Sequence, residues 1–248
     1  MATLWQLYKA HRQIEKRAKE IAQREADRFD KDLPLDLRVG GKVRIDPVST
    51  TAFADLLLVE PTKSIDFEII GFSKAQVFGV EVFNFQLETE DEENAYLWVC
   101  KHKDGELEAR FFRQHDEVYP QDADEWSLWL KRFSGLIGGD LFNISVEGHP
   151  TGEDFVFARS WVPGDDYVSP LEYRENFFPD PYEKHNALIL AHQAMLYVRE
   201  IKPENKGFEP FNEYVFVSAV GCGNEAFVTI NVGVDLSVQT DITKIDEL

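Results

Sequence analysis

Cysteine is scarce in this chain, with 2 among its 248 residues. Two thiols cannot build the disulfide framework of a small secreted domain, and such scarcity is typical of proteins in a reducing compartment. No apolar run approaches the roughly 18–20 residues that a membrane-spanning helix needs. We therefore expect a cytoplasmic protein with no transmembrane segment.

Basic residues are also few: 26 Lys and Arg stand against 45 Asp and Glu, for a formal net charge of -19. Proteins that bind nucleic acid directly need a basic footprint, so this balance argues against DNA or RNA as a partner. Disorder is disfavoured as well, since 44% of the residues are hydrophobic and 13% are aromatic. The composition indicates an acidic globular protein.

Recognisable catalytic motifs are missing: the chain has no G-x-S-x-G, P-loop, H-E-x-x-H or dinucleotide fingerprint. Cys100 and His102 are expected to share one face of a strand, but no second pair with metal-ligand spacing accompanies them. We interpret them as a buried thiol beside a histidine, and His185 and His192 as ordinary polar histidines. The sequence thus predicts no catalytic residue, no metal site and no cofactor, and it favours a protein that is not an enzyme.

The N-terminal segment, residues 1–31, differs from the rest in pattern and in charge. Residues 1–29 hold 7 basic and 4 acidic residues, a net +3, whereas the remainder carries -22. The apolar positions follow a heptad seam, which predicts an amphipathic helix. Packing on its own domain is the favoured role; a coil with a partner, or a helix on a membrane surface with Trp5 and Tyr8 at the interface, are the alternatives. The seam consists of Leu4, Leu7, Ile14, Ala18 and Ile21.

From residue 33 onward the apolar residues recur with a period of two, which is typical of strands. We expect an α+β fold of mostly antiparallel strands, as a sandwich or a partly open barrel, in one domain over residues 32–248. Two β subdomains split near 121–138 are the alternative. Hairpin turns are predicted at Gly40-Gly41, between strands 35–39 and 42–45, and at 221–224, between strands 214–220 and 226–232. Further strands are predicted at 55–59, 65–70, 77–87, 96–102, 107–111, 141–147, 154–161 and, against a helical alternative over 185–201, at 194–200.

One internal helix is predicted from apolar residues at i, i+3, i+4 and i+7. Asp122 is placed to cap its first turn, with Glu125 three residues on in the spacing of a capping box, and Gly135 is placed to end it. The apolar residues are Trp126, Trp129, Leu130 and Phe133. The three aromatic side chains among them are expected to be core anchors.

The stretch 163–183 contains four prolines and no clean periodicity, so we expect a long loop there. Acidic and aromatic residues alternate within it. A carboxylate beside an aromatic ring suits a cationic ligand, by Coulomb attraction and cation–π contact, whereas paired carboxylates suit acid–base chemistry or Mg²⁺. A solvated acidic loop is the plain alternative. The candidate ligand- or partner-binding residues are Asp165, Asp166, Tyr167, Glu172 and Tyr173.

Several short motifs occur in a fixed order between residues 33 and 240. They are Leu33-Pro34-Leu35, Leu37-Arg38-Val39-Gly40-Gly41, Trp126, Gly135-Leu136-Ile137-Gly138, Arg159-Ser160-Trp161, Gln193-Ala194-Met195-Leu196-Tyr197, Arg199, Glu213-Tyr214, Val217-Ser218-Ala219 and Val232-Gly233-Val234-Asp235-Leu236. This order resembles a bacterial family of unknown function that is encoded beside phage-shock-protein-A-like (vesicle-inducing) proteins. The resemblance implies three companions: a phage-shock-A-like coiled-coil protein, a small membrane protein and a glutathionylspermidine-synthase-like ligase. It supplies no catalytic residue.

Taken with the composition, the resemblance favours a non-enzymatic cytoplasmic accessory protein in a membrane-stress module, acting by protein–protein contact. A small-ligand module for polyamine-like cations is the first alternative, and an enzyme of unrecognised class is the second. Structural features distinguish the three. A flat apolar patch or an undocked N-terminal helix favours the first, a deep acidic–aromatic cleft the second, and convergent titratable groups around one nucleophile the third.

Overall fold

The computed structural model describes residues 23–46, 53–58, 65–89, 94–146, 154–202 and 209–245. These ranges hold twelve strands, two short 3₁₀ helices and one α-helix, and residues 23–27 are also helical. The helices are η1 (Pro34–Asp36), η2 (Ala54–Leu56) and α1 (Ala123–Leu130). The strands are β1 (Lys42–Ile45), β2 (Asp66–Val77), β3 (Val80–Glu88), β4 (Ala95–Lys101), β5 (Leu107–Val118), β6 (Leu141–Ile144), β7 (Phe155–Arg159), β8 (Leu171–Phe178), β9 (Leu188–Ile201), β10 (Phe211–Cys222), β11 (Glu225–Leu236) and β12 (Ile242–Ile245).

Eight of these strands form a closed barrel in the order β2-β3-β4-β5-β11-β10-β9-β8, because β8 pairs with both β9 and β2. All of the strand pairs are antiparallel, which confirms the predicted strand direction. The predicted sandwich or partly open barrel is wrong in one respect, since the barrel is closed. Closure depends on β8, a strand that the sequence pattern does not reveal.

Four further strands extend the sheet beyond the barrel: β1 and β12 beside β2, and β7 and β6 beside β9. Strand β2 exchanges neighbours along its length, pairing with β1 up to Glu68 and with β8 from Phe72. Its register with β3 shifts between Ile69 and Gly71. Gly71 is required there, because a Cβ atom at that position would lie 2.8 Å from the Phe177 ring.

The barrel strands bury both of their faces, so the core has three parts. One lies inside the barrel and two lie on its outer faces, under the extra strands and helices. The interior part is rich in aromatic rings, and the Phe216 ring lies 5.0 Å from that of Trp98. Burial of both faces explains why β3 is apolar on either side of Phe83 and why β4 is apolar along most of its length.

The strands predicted at 65–70, 96–102, 107–111, 141–147, 154–161 and 194–200 are confirmed, with somewhat different ends. The hairpin at 221–224 is also confirmed, with its turn at Gly223 and Asn224. The single strand predicted over 77–87 is wrong at its start, because a turn at Phe78 and Gly79 divides β2 from β3. The helical alternative for 185–201 is wrong as well, since β9 covers most of it.

The hairpin predicted at Gly40-Gly41 is wrong. Residues 35–39 form no strand, and β1 pairs with β2 and β12 instead. The buried carboxylate of Asp30 holds this segment by accepting hydrogen bonds from the Val39 backbone N–H at 3.0 Å and from Arg28. The strand predicted at 55–59 is also wrong, because Ala54–Leu56 is a 3₁₀ turn.

Most of the predicted N-terminal helix lies outside the described residues. Its described end is helical at 23–27 and contacts the barrel. The Phe29 ring packs 5.1 Å from Phe178 and 5.8 Å from Phe72, and Arg24 lies over the Tyr182 ring. This end of the segment therefore docks on its own domain.

Candidate functional site

Glu175 lies at the centre of a polar cluster inside the barrel. It belongs to β8, and its side chain is directed inward because inward and outward positions alternate along a strand. Its carboxylate accepts hydrogen bonds from the Ser73 hydroxyl on β2 and from Asn84 Nδ2 on β3, the latter at 3.1 Å. One side chain of the closing strand is thereby tied to two other strands.

His192 on β9 lies on the other side of that carboxylate. Its Nε2 atom is 3.4 Å from Glu175 Oε2, and its Nδ1 atom is 2.9 Å from the Ser218 hydroxyl on β10. The Tyr173 ring stacks on the imidazole at 4.6 Å, with 4° between the planes. The order serine, histidine, carboxylate is that of a catalytic triad. Sequence reasoning missed this group and interpreted His192 as an ordinary polar histidine.

Burial decides what this cluster can do. Ser218 is 0% exposed, Glu175 7% and His192 8%, so the hydroxyl has no contact with solvent in this structure. Burial lowers the pKa of His192, with Glu175 acting in the opposite direction, and burial raises the pKa of Tyr173 well above its usual value. Within the described ranges, no three His, Cys, Asp or Glu side chains are grouped to hold a metal ion. The geometry suits a structural network that ties strands together.

Cys100 and His102 lie in different environments. Cys100 is buried inside the barrel, as expected, and Arg110 Nη1 lies 4.0 Å from its sulfur. This cation was not anticipated, yet burial outweighs it and raises the pKa of the thiol. His102 follows β4, and its Nε2 atom lies 3.1 Å from Glu108 Oε1. A thiol with a raised pKa is a poor nucleophile.

Helix α1 begins as predicted. The Asp122 carboxylate accepts hydrogen bonds from the backbone N–H groups of Asp124 and Glu125, both at 2.9 Å. The helix ends at Leu130, so the predicted end at Gly135 is wrong. The chain turns back instead, and the Gly135 Cα packs so closely on α1 that a Cβ there would lie 2.5 Å from the Trp129 carbonyl oxygen.

Helix α1 and the turn after it leave large apolar side chains in contact with solvent. No residue of this fully described helix is buried, although Trp126, Trp129 and Leu130 pack against the outer core. Phe133 is 69% exposed, so its predicted role as a core anchor is wrong. We define the α1 patch as Leu128, Phe133 and Leu136, which are 62%, 69% and 50% exposed.

A groove of about 470 Å³ runs between α1 and the outer face of the barrel. Trp126, Leu130, Glu172 and Arg174 line the groove, together with Tyr173 and His192 of the interior cluster. Small residues are also found in its lining: Ala191, Ala219, Gly221 and Ala226.

The predicted loop over 163–183 is wrong, because β8 occupies its middle. The alternation of apolar residues does not reveal this strand, because one of its inward positions is the charged Glu175. Alternation along β8 then separates two of the candidate site residues. Tyr173 is inside the barrel on His192, whereas Glu172 is exposed at the groove.

The other three candidate residues lie near the α1 patch. Asp165 and Asp166 are exposed, and Tyr167 is half-buried. The Tyr167 hydroxyl donates to the Ile137 carbonyl at 3.3 Å, and its ring meets Phe133 edge-on at 6.2 Å. The Tyr167 ring therefore adjoins the patch, and Asp165 and Asp166 directly precede Tyr167 in the chain. Ligand or partner binding by these residues stays a prediction.

In the described part of the chain, no helix is long and apolar enough to cross a membrane. A family model described as a protein of unknown function, DUF2491, matches residues 13–243, and the chain belongs to that family. No curated protein and no solved structure matches the chain.

Proposed function

We propose that this member of the DUF2491 family is a non-enzymatic accessory protein of a cytoplasmic membrane-stress module, acting by protein–protein contact at the α1 patch. The observation that carries the proposal is the exposure of Leu128, Phe133 and Leu136, at 62%, 69% and 50%. Single exposed apolar residues are normal, but three large ones within nine positions of the chain are typical of an interaction surface.

The helix and the turn that carry the α1 patch favour this role. The patch lies on a capped helix and on a turn that is joined to it by a hydrogen bond from the Leu136 N–H to the Leu128 carbonyl at 2.8 Å. A partner would therefore meet a fixed surface, which lowers the entropic cost of association. The exposed Phe133 ring is the largest side chain of the patch, and aromatic residues are enriched at interfaces.

The interior cluster supports a non-enzymatic role as well. Glu175, His192 and Ser218 are the convergent titratable groups with a nucleophile that an enzyme would need. With Ser218 at 0% exposure, they are placed to hold strands together instead.

The partner that we propose is a phage-shock-A-like coiled-coil protein, the companion that the sequence resemblance implies. Coiled coils present apolar side chains along a seam that an apolar patch can contact. A small membrane protein, another of the three implied companions, is the alternative partner. The proposal is tested by titrating the purified full chain with each of the two purified proteins.

The decisive variant in that titration is Phe133→Ser combined with Leu136→Ser. Loss of two anchors should weaken binding by at least about thirtyfold, which corresponds to hot-spot energies of about 2 kcal/mol or more. Ile70→Ser, at a site on β2 that is 45% exposed, is the control and should leave the affinity unchanged. The proposal would be overturned if the wild type and the double variant bound the partner equally well. It would also be overturned if the wild type bound neither of the two partner proteins.

A second candidate function is recognition of a polyamine-like cation beside the patch. Asp165, Asp166 and Tyr167 favour it, since two exposed carboxylates adjoin an aromatic ring. Calorimetric titration with spermidine at about 150 mM salt tests it, because exposed pairs are then screened beyond roughly 8 Å. Saturable binding that is abolished by Asp166→Asn with Tyr167→Ala would support the site, and heat that never saturates would refute it.

A further inference from the structure

Several buried polar atoms have no hydrogen-bond partner among the described residues, and two of them lie on neighbouring strands inside the barrel. These two are the indole Nε1 of Trp98, a side chain that is 3% exposed, and the amide Oδ1 of Asn84. The two residues lie directly opposite each other on β4 and β3. One atom is a donor only and the other an acceptor. A buried polar atom without a partner is costly, so each requires an explanation.

The orientation of the Asn84 amide is fixed by its neighbour. Its Nδ2 atom donates to Glu175 Oε1 at 3.1 Å. Rotating the amide by half a turn would place its carbonyl oxygen against a carboxylate, which offers no proton. The free atom of Asn84 is therefore an acceptor.

The Trp98 indole is enclosed by other rings. Those of Phe216, Phe112 and Trp161 lie 5.0, 5.4 and 6.1 Å from it. Phenylalanine has no acceptor atom and the indole of tryptophan is a donor only, so this wall cannot receive the Trp98 proton.

We propose that a buried water molecule bridges Trp98 Nε1 and Asn84 Oδ1. The water oxygen accepts the indole proton, and one of its own protons is donated to the amide oxygen. Side chains opposite each other on neighbouring strands have Cβ atoms about 4.5–5.5 Å apart. The indole of Trp98 and the amide of Asn84 therefore start from neighbouring points of the inner face, and one water molecule can lie between their polar atoms. Buried waters characteristically serve such otherwise unpaired groups.

The position of this water relates it to the Glu175 cluster. Asn84 contacts one carboxylate oxygen of Glu175, and His192 Nε2, another buried atom without a hydrogen bond, lies 3.4 Å from the other. The site belongs to the interior of the barrel and does not depend on the function proposed for the α1 patch.

Nuclear magnetic resonance on the full chain with ¹⁵N-labelled tryptophan tests the proposal. The chain has five tryptophans, and the Trp98→Phe variant identifies the indole signal of Trp98 by its disappearance. We expect a direct Overhauser transfer between that indole proton and water, together with slow exchange of the proton with solvent. Half-buried Trp126, assigned in the same way with Trp126→Phe, is the control and should show faster exchange.

A crystal structure of the wild-type chain provides the second measurement. We expect a density peak within about 2.7–3.2 Å of both Trp98 Nε1 and Asn84 Oδ1, the range of ordinary hydrogen bonds. Two results would overturn the proposal: an indole N–H that donates directly to a protein atom, or a slowly exchanging Trp98 proton that shows no transfer to water.

Discussion

The Nε2 atom of His192 lies 3.4 Å from Glu175 Oε2, and this pair joins the two strands β9 and β8 inside the barrel. Glu175 also accepts hydrogen bonds from Ser73 on β2 and Asn84 on β3. Strand β8 closes the barrel by pairing with β2 and β9, so a single carboxylate reinforces both of the seams at which closure occurs.

Replacing Glu175 with alanine should be strongly destabilising. The change leaves the Ser73 hydroxyl and the Asn84 amide without their acceptor. We expect the free energy of unfolding to fall by about 2–6 kcal/mol, since each polar group left unpaired in the interior costs about 1–3 kcal/mol. Urea denaturation measures it. Glu172→Ala is the matched control on the outward face of the same strand, and its effect should be within about 0.5 kcal/mol. Equal effects of the two variants would contradict the role of Glu175.

The stability of the fold should depend on pH through His192. Burial lowers the pKa of this histidine below its ordinary value, although Glu175 opposes the shift. The unfolded state therefore binds the proton more readily than the native state. The contribution of neutral His192 is fully present above about pH 6.5, the pKa of an unperturbed histidine, and is lost as the pH falls toward the lower native pKa.

Urea denaturation of wild type and His192→Asn at pH 7.5 and pH 5.5 measures this dependence. Carboxylates and other histidines contribute to the pH dependence of both proteins. The difference between the two proteins in the stability lost on acidification therefore isolates the contribution of His192. We expect the wild type to lose more stability than the variant on acidification. An equal loss, or a larger loss in the variant, would show that the native pKa of His192 is not lowered.

Trp129 and Phe133 should differ in their effect on stability, although sequence spacing places them on one helical stripe. Trp129 is half-buried against the outer core, so Trp129→Ala should cost about 2 kcal/mol from lost apolar burial. Phe133 is 69% exposed, so Phe133→Ala should stay within about 0.5 kcal/mol. Thermal denaturation of the two variants compares them, and a larger loss for Phe133→Ala would mean that the side chain is buried in solution.

The sequence was sufficient for elements whose signals are local. The hairpin around Gly223 follows from turn residues between two β-rich runs, and the cap at Asp122 follows from capping-box spacing. Local signals fail at Phe133, because the helix ends early where Gly135 packs against Trp129. The turn at Phe78 and Gly79 was missed because the apolar residues run on through it.

Barrel closure and the interior cluster could not be predicted in the same way. Strand β8 has a carboxylate at an inward position, so its pattern resembles a polar loop. Glu175, His192 and Ser218 come from three successive strands, and their meeting depends on the register of those strands. A closing strand and its register are set by tertiary pairing, which a single sequence does not display.

Hydrogen exchange of the full chain, with and without a phage-shock-A-like coiled-coil partner, tests the central claim most directly. The account predicts that the partner slows exchange in residues 123–136, which include α1 and the patch, and that Phe133→Ser with Leu136→Ser removes this protection. Peptides from β4, which is buried in the sheet, should be unchanged in both proteins and serve as the internal reference. Binding that protects other surfaces and leaves 123–136 unchanged would contradict the account.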